Sequence, residues 1–395
     1  MRLAARREMN IDTRMDQPET PVYLDNAATT RVDDQVAEAM LRVLTVDYGN
    51  PSSAHRMGGR AAALLEEARA RVGAAINAEP RDVYFTSGGT EANAIGVLGV
   101  AATARGRHVV LSTLEHPSVL EAARRLVAAG FEVTEVAPGP GGVVAVEALA
   151  AAVREDTALV TLMLVNNELG TVQPSLAAAR AVKARAPRAH FHVDAVQALG
   201  KVAIDVTAGP IDSLAMSAHK IHGPKGTGAL WLRRGARVVS VTVGGGQERG
   251  VRPGTENVAG AVGLGLAAEL AERARPEAVT RWRELGRRLV DGARAAFPAV
   301  RLLGDPAHLA PHIVALGFAG IKAEPLLHAL EAHGAYASAG SACHSKDKKP
   351  SAILRAIGLP DDTGMLRISL GRHTTEAEID RAVRALGLAL AQLTG

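Results

Sequence analysis

Residues 81–104 read RDVYFTSGGTEANAIGVLGVAATA and change periodicity within a single turn. Val83 to Thr86 are β-branched or aromatic, the residue types that suit a pleated strand. Ser87-Gly88-Gly89 breaks that run, and small helix-forming residues follow from Thr90 onward. Strand, glycine turn and helix together make the first half of a βα unit. The same switch recurs downstream: HVVLST (108–113) before SVLEAARRLVAAG (118–130), then FEVTEV (131–136), ALVTLMLV (158–165), a helix near 175–186, HFHVDAV (190–196), SLAMSA (213–218) and GALWLRR (228–234). About seven strand candidates therefore fall between residues 82 and 234. Repeated βα units predict an α/β fold with a mostly parallel seven-stranded sheet.

Working outward, GGGQERGVRPGTEN (244–257) leads into a helical stretch over about 257–297. Beyond it come IVALGFA (313–319, strand), EPLLHALEAHG (324–334, helix), PSAILRAIG (350–358, helix), MLRISLG (365–371, strand) and a last helix. That helix opens on a capping box, Thr375-Glu-Ala-Glu378, and spaces Ile379, Val383, Leu386, Leu390 and Leu393 along one face. A boundary near residue 270 divides a large domain, 31–270, from a smaller α/β domain made of 1–30 and 271–395. No internal repeat or low-complexity tract is present.

Composition agrees with a soluble, ordered protein of enzyme size. Of 395 residues, 47% are hydrophobic and 22% charged, both near globular averages. The net charge of +4 is spread over scattered Arg and Lys, so no polyanionic partner is implied and nucleic acid is not expected. One cysteine excludes an intramolecular disulfide, and no paired-cysteine or clustered-histidine spacing suggests a metal site. A reducing, cytoplasmic setting fits. The basic opening MRLAARREMNIDTRMDQPE lacks an apolar core, and no apolar run approaches the roughly 20 residues that cross a bilayer, so no membrane is expected. The first twenty residues are expected to be an extension, with Met9 and Met15 as other possible starts.

Three places could carry chemistry. Ser87-Gly88-Gly89-Thr90 opens a helix after a strand, a seat for an anion because backbone N–H groups and the helix dipole converge there. Lys220 ends the apolar strand SLAMSA beside His219, where lost solvation would suit a Schiff-base lysine. Asp194 ends another apolar strand. Taken alone, the turn reads more readily as an ordinary βα turn and the lysine as a solvated strand end. In a doubly wound sheet, however, the carboxyl ends of the strands share one crevice. A carboxylate, a lysine and a phosphate seat are what pyridoxal 5'-phosphate requires.

Eleven motifs stand in order over residues 21–385: YLDNAATT, GNPSSAH, FTSGGTEANAIG, EHPSV, VNNELGTVQP, HVDAVQALGK, SAHKIHGPKG, GGGQERG, RPGTEN, SAGSACHS and RISLGRHTTEAEID. The chain thereby resembles the class I cysteine desulfurases, NifS/IscS-like, which are class-V aminotransferase relatives with the fold type I, aspartate aminotransferase-like architecture. The resemblance implies a pyridoxal phosphate enzyme that converts L-cysteine to L-alanine and leaves a persulfide on Cys343. Lys220 matches the lysine that binds the cofactor, Asp194 the partner of its ring nitrogen, Gln197 the donor to its phenolic oxygen, and His116 the imidazole stacked on its ring. Gly89, Thr90, Ser217 and His219 match the phosphate seat, and Thr255 the contact lent by the second subunit of a homodimer. Asn167 and Arg367 match the groups that hold the substrate carboxylate, with Asn167 also beside the cofactor. A sulfur-acceptor protein, an iron–sulfur scaffold or a transfer RNA thiolation protein, is the implied partner. Other fold type I activities, such as selenocysteine lyase or an aminotransferase, and a catalytically idle sulfur relay are the rival readings.

Two stretches depart from the family pattern. Pro253 replaces the usual Ser or Ala before Gly254, which restricts the turn presenting Thr255. After Cys343, KDKK stands where small or apolar residues are usual. A lone cysteine is commonly a small buried hydrophobe. Here Gly340, Ser341 and Ser345 suggest an exposed loop over about 338–351, and Lys346, Lys348 and Lys349, with His344, would favour the thiolate and an acidic docking surface. His192, His222, His308, His312, His328 and His333 read as structural or solvated, and no chemical step is assigned to His55.

Overall fold

The computed structural model describes residues 21–340 and 352–394. The expected N-terminal extension, Cys343 and Lys346, Lys348 and Lys349 lie outside the described residues. In chain order the elements are β1 (Val22–Tyr23), α1 (Asp34–Thr45), α2 (Arg56–Ala74), β2 (Val83–Thr86), α3 (Gly89–Ala94), β3 (His108–Ser112), α4 (Pro117–Ala128), β4 (Glu132–Val136), α5 (Val146–Ala151), β5 (Thr157–Thr161), α6 (Ser175–Arg185), β6 (His190–Asp194), β7 (Ser213–Ser217) and β8 (Gly228–Leu232). There follow α7 (Val258–Ala296), β9 (Arg301–Leu302), β10 (Ile313–Ala319), α8 (Ala323–Ala332), β11 (Ala335–Tyr336), α9 (Ala352–Ala356), β12 (Thr363–Ser369) and α10 (Glu376–Thr394).

The large sheet has seven strands, the number that the alternating sequence predicts, and their order is β2-β8-β7-β6-β5-β3-β4. Only β8 runs antiparallel to its neighbours. Strands β3, β5, β6, β7 and β8 are buried along their whole length, which explains why they read as continuous apolar runs. Since β2, β3, β5, β6 and β7 point the same way, their carboxyl ends meet along one rim.

The edges of this sheet are protected differently. Strand β4 carries Glu132 and Glu135, charges that discourage pairing with another chain. Strand β2 is capped by the glycine-rich loop: Glu248 accepts from Phe85 N at 2.9 Å and takes both arms of Arg69 at 2.8 and 2.9 Å, while Arg249 donates to Val83 O at 2.8 Å. Arg69 and Glu248 side chains are each 2% exposed, so removing either would strand a buried charge at a cost of about 3–5 kcal/mol. The loop makes these contacts with Glu248 and Arg249 in the left-handed region, at φ 45° and 54°.

A second core lies over a three-stranded antiparallel sheet, β12-β10-β9, with a short parallel pair β1–β11. It gathers Val22 and Leu24 with Trp282, Leu289, Phe318, Leu366 and Leu386. Helix α7 serves both cores. Its Ala261, Leu264, Ala267 and Leu270 belong to the core of the large sheet, and its Ala278, Trp282, Leu285 and Leu289 to the second. Residue 270, expected as a boundary, therefore falls inside one continuous helix, six residues before Pro276.

Candidate active site

A cavity of about 300 Å³ opens at the carboxyl ends of the parallel strands. Its lining includes Gly89, Thr90, His116, Asn167, Asp194, Gln197, Ser217, His219, Lys220 and Arg367. The structure thus brings together every residue expected at the site except two. Thr255 does not line the cavity and is exposed in the single chain, and Cys343 is outside the described residues. Gly340, three positions before Cys343, is at the cavity wall.

Each group arrives by a local device. Asp194 is the last residue of β6, 4% exposed, with one oxygen accepting from Val196 N at 2.9 Å and the other from Asn93 Nδ2 at 2.7 Å. Asn93 comes from α3, which runs on into a π-helical turn (Ile95–Gly99), a distortion common at functional sites. Gly96 lets that turn sit on the His192 ring, since a Cβ there would lie 2.4 Å from it. Asn93 Oδ1 and Ser213 hold the two nitrogens of His192 at 3.0 and 2.7 Å. Burial pushes His192 down to about 3, so it supports Asn93 as a neutral ring.

His116 caps α4, its Nδ1 accepting from Ser118 N at 3.1 Å. The neutral ring therefore carries its proton on Nε2. Burial lowers its basicity, Asp194 opposes that shift, and Lys220 adds to it. Ser118 Oγ lies 2.8 Å from His116 Nδ1 and accepts from Asn93 Nδ2 at 2.9 Å, so His116 and Asp194 share one hydrogen-bonded frame.

Lys220 follows β7 in a short turn (Ala218–Lys220) and donates to Ala27 O at 2.6 Å and Ala28 O at 2.7 Å. Gln197 Nε2 donates to the same Ala27 O at 2.8 Å. His219 is held at Thr29 Oγ1, 3.2 Å away, and burial with the charge of Lys220 pushes it down to about 4. Arg367 on β12 pairs with Asp25 at 2.6 Å and donates to Asn167 O at 2.8 Å, while its buried Nε has no partner among the described residues.

The donor set fits pyridoxal phosphate. The buried Ser217 Oγ in the cavity lining has no partner among the described residues, and Gly89 keeps the helix start open, because a Cβ there would come 2.6 Å from Val196 Cγ2. The helix start offers N–H groups with no intrahelical acceptor. Asn93, Ser118, Glu115 and Lys201 escaped sequence reasoning. All four stand inside or beside quoted motifs, yet only their burial and partners distinguish them. His55 caps α2, its Nδ1 accepting from Gly58 N at 3.2 Å, which gives it a structural role. Among the described residues no cluster of His, Cys, Asp and Glu could hold a metal.

A mostly parallel sheet with a lysine, a carboxylate and an anion seat at its strand ends defines the fold type I pyridoxal phosphate-dependent enzymes. The chain belongs to the Aminotransferase class-V family, whose pattern matches residues 22–382. A cysteine desulfurase from Trichormus azollae is 44% identical over 368 residues, covering 92% of each chain. The cysteine desulfurase IscS of Clostridium botulinum (strain Hall) is 42% identical over 371 residues, 92% of this chain and 93% of that one. A solved structure of a NifS-like protein superposes with a TM-score of 0.89 at 36% identity, covering 94% of this chain and all of the other.

Proposed function

We propose that this protein is a pyridoxal phosphate-dependent cysteine desulfurase that turns L-cysteine into L-alanine and collects the sulfur as a persulfide on Cys343. The observation that carries the reading is the single cavity where Lys220, Asp194, His116 and Arg367 meet, with Gly340 of the cysteine-bearing segment at its wall. When bound, the cofactor supplies an aldehyde that takes up amines and a ring that withdraws electrons from Cα. Gly89, Thr90, Ser217 and His219 would hold its phosphate, Asp194 its ring nitrogen, Gln197 its phenolic oxygen and His116 its ring face. Arg367, with Asn167, holds the substrate carboxylate through a fork that suits two oxygens.

Lys220, kept in place by the Ala27 and Ala28 carbonyls, takes the proton from substrate Cα. The Cys343 thiolate attacks the substrate sulfur. An S–S bond forms as the substrate Cβ–S bond breaks, and the electron pair stays on the carbon side. That carbon gains a proton, with the His116 Nε2–H as donor, and becomes the methyl of alanine, while Lys220 gives its proton back to Cα.

Residues 31–270 act as the cofactor domain and 1–30 with 271–395 as the smaller domain. Thr255, exposed beside the loop that caps β2, completes the site of a second copy in a homodimer. The sulfur leaves for an acceptor protein in iron–sulfur cluster assembly or transfer RNA thiolation, in the cytoplasm. No helix of the described residues is long and apolar enough to cross a membrane.

The decisive experiment supplies cysteine alone and measures alanine and enzyme-bound sulfur, which should appear in equal amounts. Lys220→Ala should lose the visible absorbance of the bound cofactor. Cys343→Ala should keep it while alanine formation falls by at least about 10²-fold. Alanine formation by Cys343→Ala at the normal rate would sink the persulfide mechanism.

A further inference from the structure

Lys201 follows β6 by seven residues, in the turn that begins beyond Asp194, and is 6% exposed. Its Nζ lies 3.5 Å from Gln197 Oε1, and among the described residues no carboxylate pairs with it. Gln197 Nε2 then reaches Ala27 O, the carbonyl that also accepts from Lys220 Nζ. A small space of about 20 Å³, room for about one water molecule, is lined by Lys201 and Lys220 together. Asn26, Thr30, His222, His312 and Arg372 complete its polar wall, and none of the described lining residues is acidic.

An ammonium has donors only, so the Gln197 atom that faces Lys201 is the oxygen, and the amide NH2 turns toward Ala27 and the main cavity. Burying an ammonium without a carboxylate is costly, and a methionine of similar length would avoid that cost. Keeping the charge points to a task beyond packing.

We propose that Lys201 is a positioning residue for the cofactor site: it locks the Gln197 carboxamide with its NH2 toward the site, and its positive charge keeps protons off Lys220. The proposal rests on the cofactor reading given above. Burial, with the charge of Lys220 second, brings Lys201 down to about 7, so its proton exchanges near neutrality. The other groups facing it do not titrate there. His219 and His222 are held to about 4 and His312 well below its ordinary value, in each case chiefly by burial, and Arg372 is answered by Asp33. Below neutrality, Lys201 is charged and opposes a proton at Lys220. Above it, that opposition fades.

The test titrates the visible absorbance of the cofactor-loaded enzyme against pH, without cysteine. Lys201→Met should raise the midpoint by about 0.5–1 unit and weaken cofactor retention a few-fold, whereas Lys201→Arg, charged at every pH, should leave the midpoint at or below the wild-type value. Lys201→Gln serves if circular dichroism shows that the methionine variant is unfolded. A midpoint unchanged in the uncharged variant, or moved equally in Lys201→Arg, overturns the proposal. The two readings fail separately: a wild-type enzyme that shows the titration but makes no alanine from cysteine sinks the desulfurase reading and leaves Lys201 standing.

Discussion

Glu115, one position before His116, shows what burial does to a residue that the sequence presents as ordinary. It is 4% exposed, one oxygen accepts from Met163 N at 2.8 Å, and the Thr161 hydroxyl lies beside the carboxyl. Burial, with the nearby Asp194 charge, pushes its carboxyl up to about 8. The unfolded carboxyl ionises near its ordinary 4.5, so its share of stability is complete below that pH and is lost as pH rises through 8. Glu115→Gln removes the titration and is expected to be more stable than the parent by on the order of 1–3 kcal/mol at pH 8, with no gain at pH 4.5. Thermal melts at both values decide it, and equal stability at pH 8 would count against a neutral buried Glu115. On the acid side, His190 and His192 at about 3, with His219 and His222 at about 4, keep full stability above their ordinary 6.5 and lose it as pH falls toward those values. Lys220, Asp194 and Thr90 were legible because strand ends and a glycine turn expose them in the pattern. Glu115, Asn93 and Lys201 were not, because desolvation is a property of the packed chain.

At the scale of elements, the sequence located the seven strands of the large sheet well and their ends less well. The run ALVTLMLV read as one strand, but β5 stops at Thr161 and the next residues turn toward the cavity. The capping box of α10 forms, Glu378 N donating to Thr375 Oγ1 at 3.3 Å, and Ile379, Leu386 and Leu390 are buried. Leu393 of the same stripe is 38% exposed because the helix has passed the core by then. Helices α1 and α2 went unread, and β1 pairs with β11 from the far end of the chain, a partner no local pattern can announce. Glycines mark where elements nearly touch. A Cβ on Gly228 of β8 would lie 2.5 Å from the Gly88 carbonyl carbon and 2.6 Å from Met216 O, both backbone atoms. Gly228→Ala should cost about 1–3 kcal/mol and, by shifting the Gly88–Thr90 turn, weaken cofactor binding. Gly59, with open space around it in α2, is the control, since Gly59→Ala should stabilise by up to about 1 kcal/mol. Differential scanning calorimetry and cofactor titration separate the two, and an unaltered affinity in Gly228→Ala would dissociate β8 from the phosphate seat.

The whole molecule adds the question of a second copy. Thr255 is exposed, and Leu41, Leu44, Tyr48 and Val243 are large apolar side chains exposed by 60, 62, 67 and 105%. If Thr255 serves the partner's site, Lys220→Ala and Thr255→Ala subunits are complementary: each mixed dimer holds one site with an intact Lys220 from one chain and an intact Thr255 from the other. Mixing the two variants under exchange conditions should restore cofactor retention and alanine formation to roughly a quarter of wild type, one intact site in half of the dimers. No recovery after proven exchange would place Thr255 outside the shared site. By itself, the sequence determined the α/β class, the order of the strands along the chain and the chemical types at their ends, because periodicity and turn residues are local. Only the tertiary structure decided that Asp25 of the N-terminal segment meets Arg367 of β12, that the 248–249 turn seals β2, and that Lys201 is buried against the Gln197 oxygen with no carboxylate partner among the described residues. Those outcomes depend on desolvation and on contacts between distant parts of the chain, which exist only once both cores have closed around helix α7.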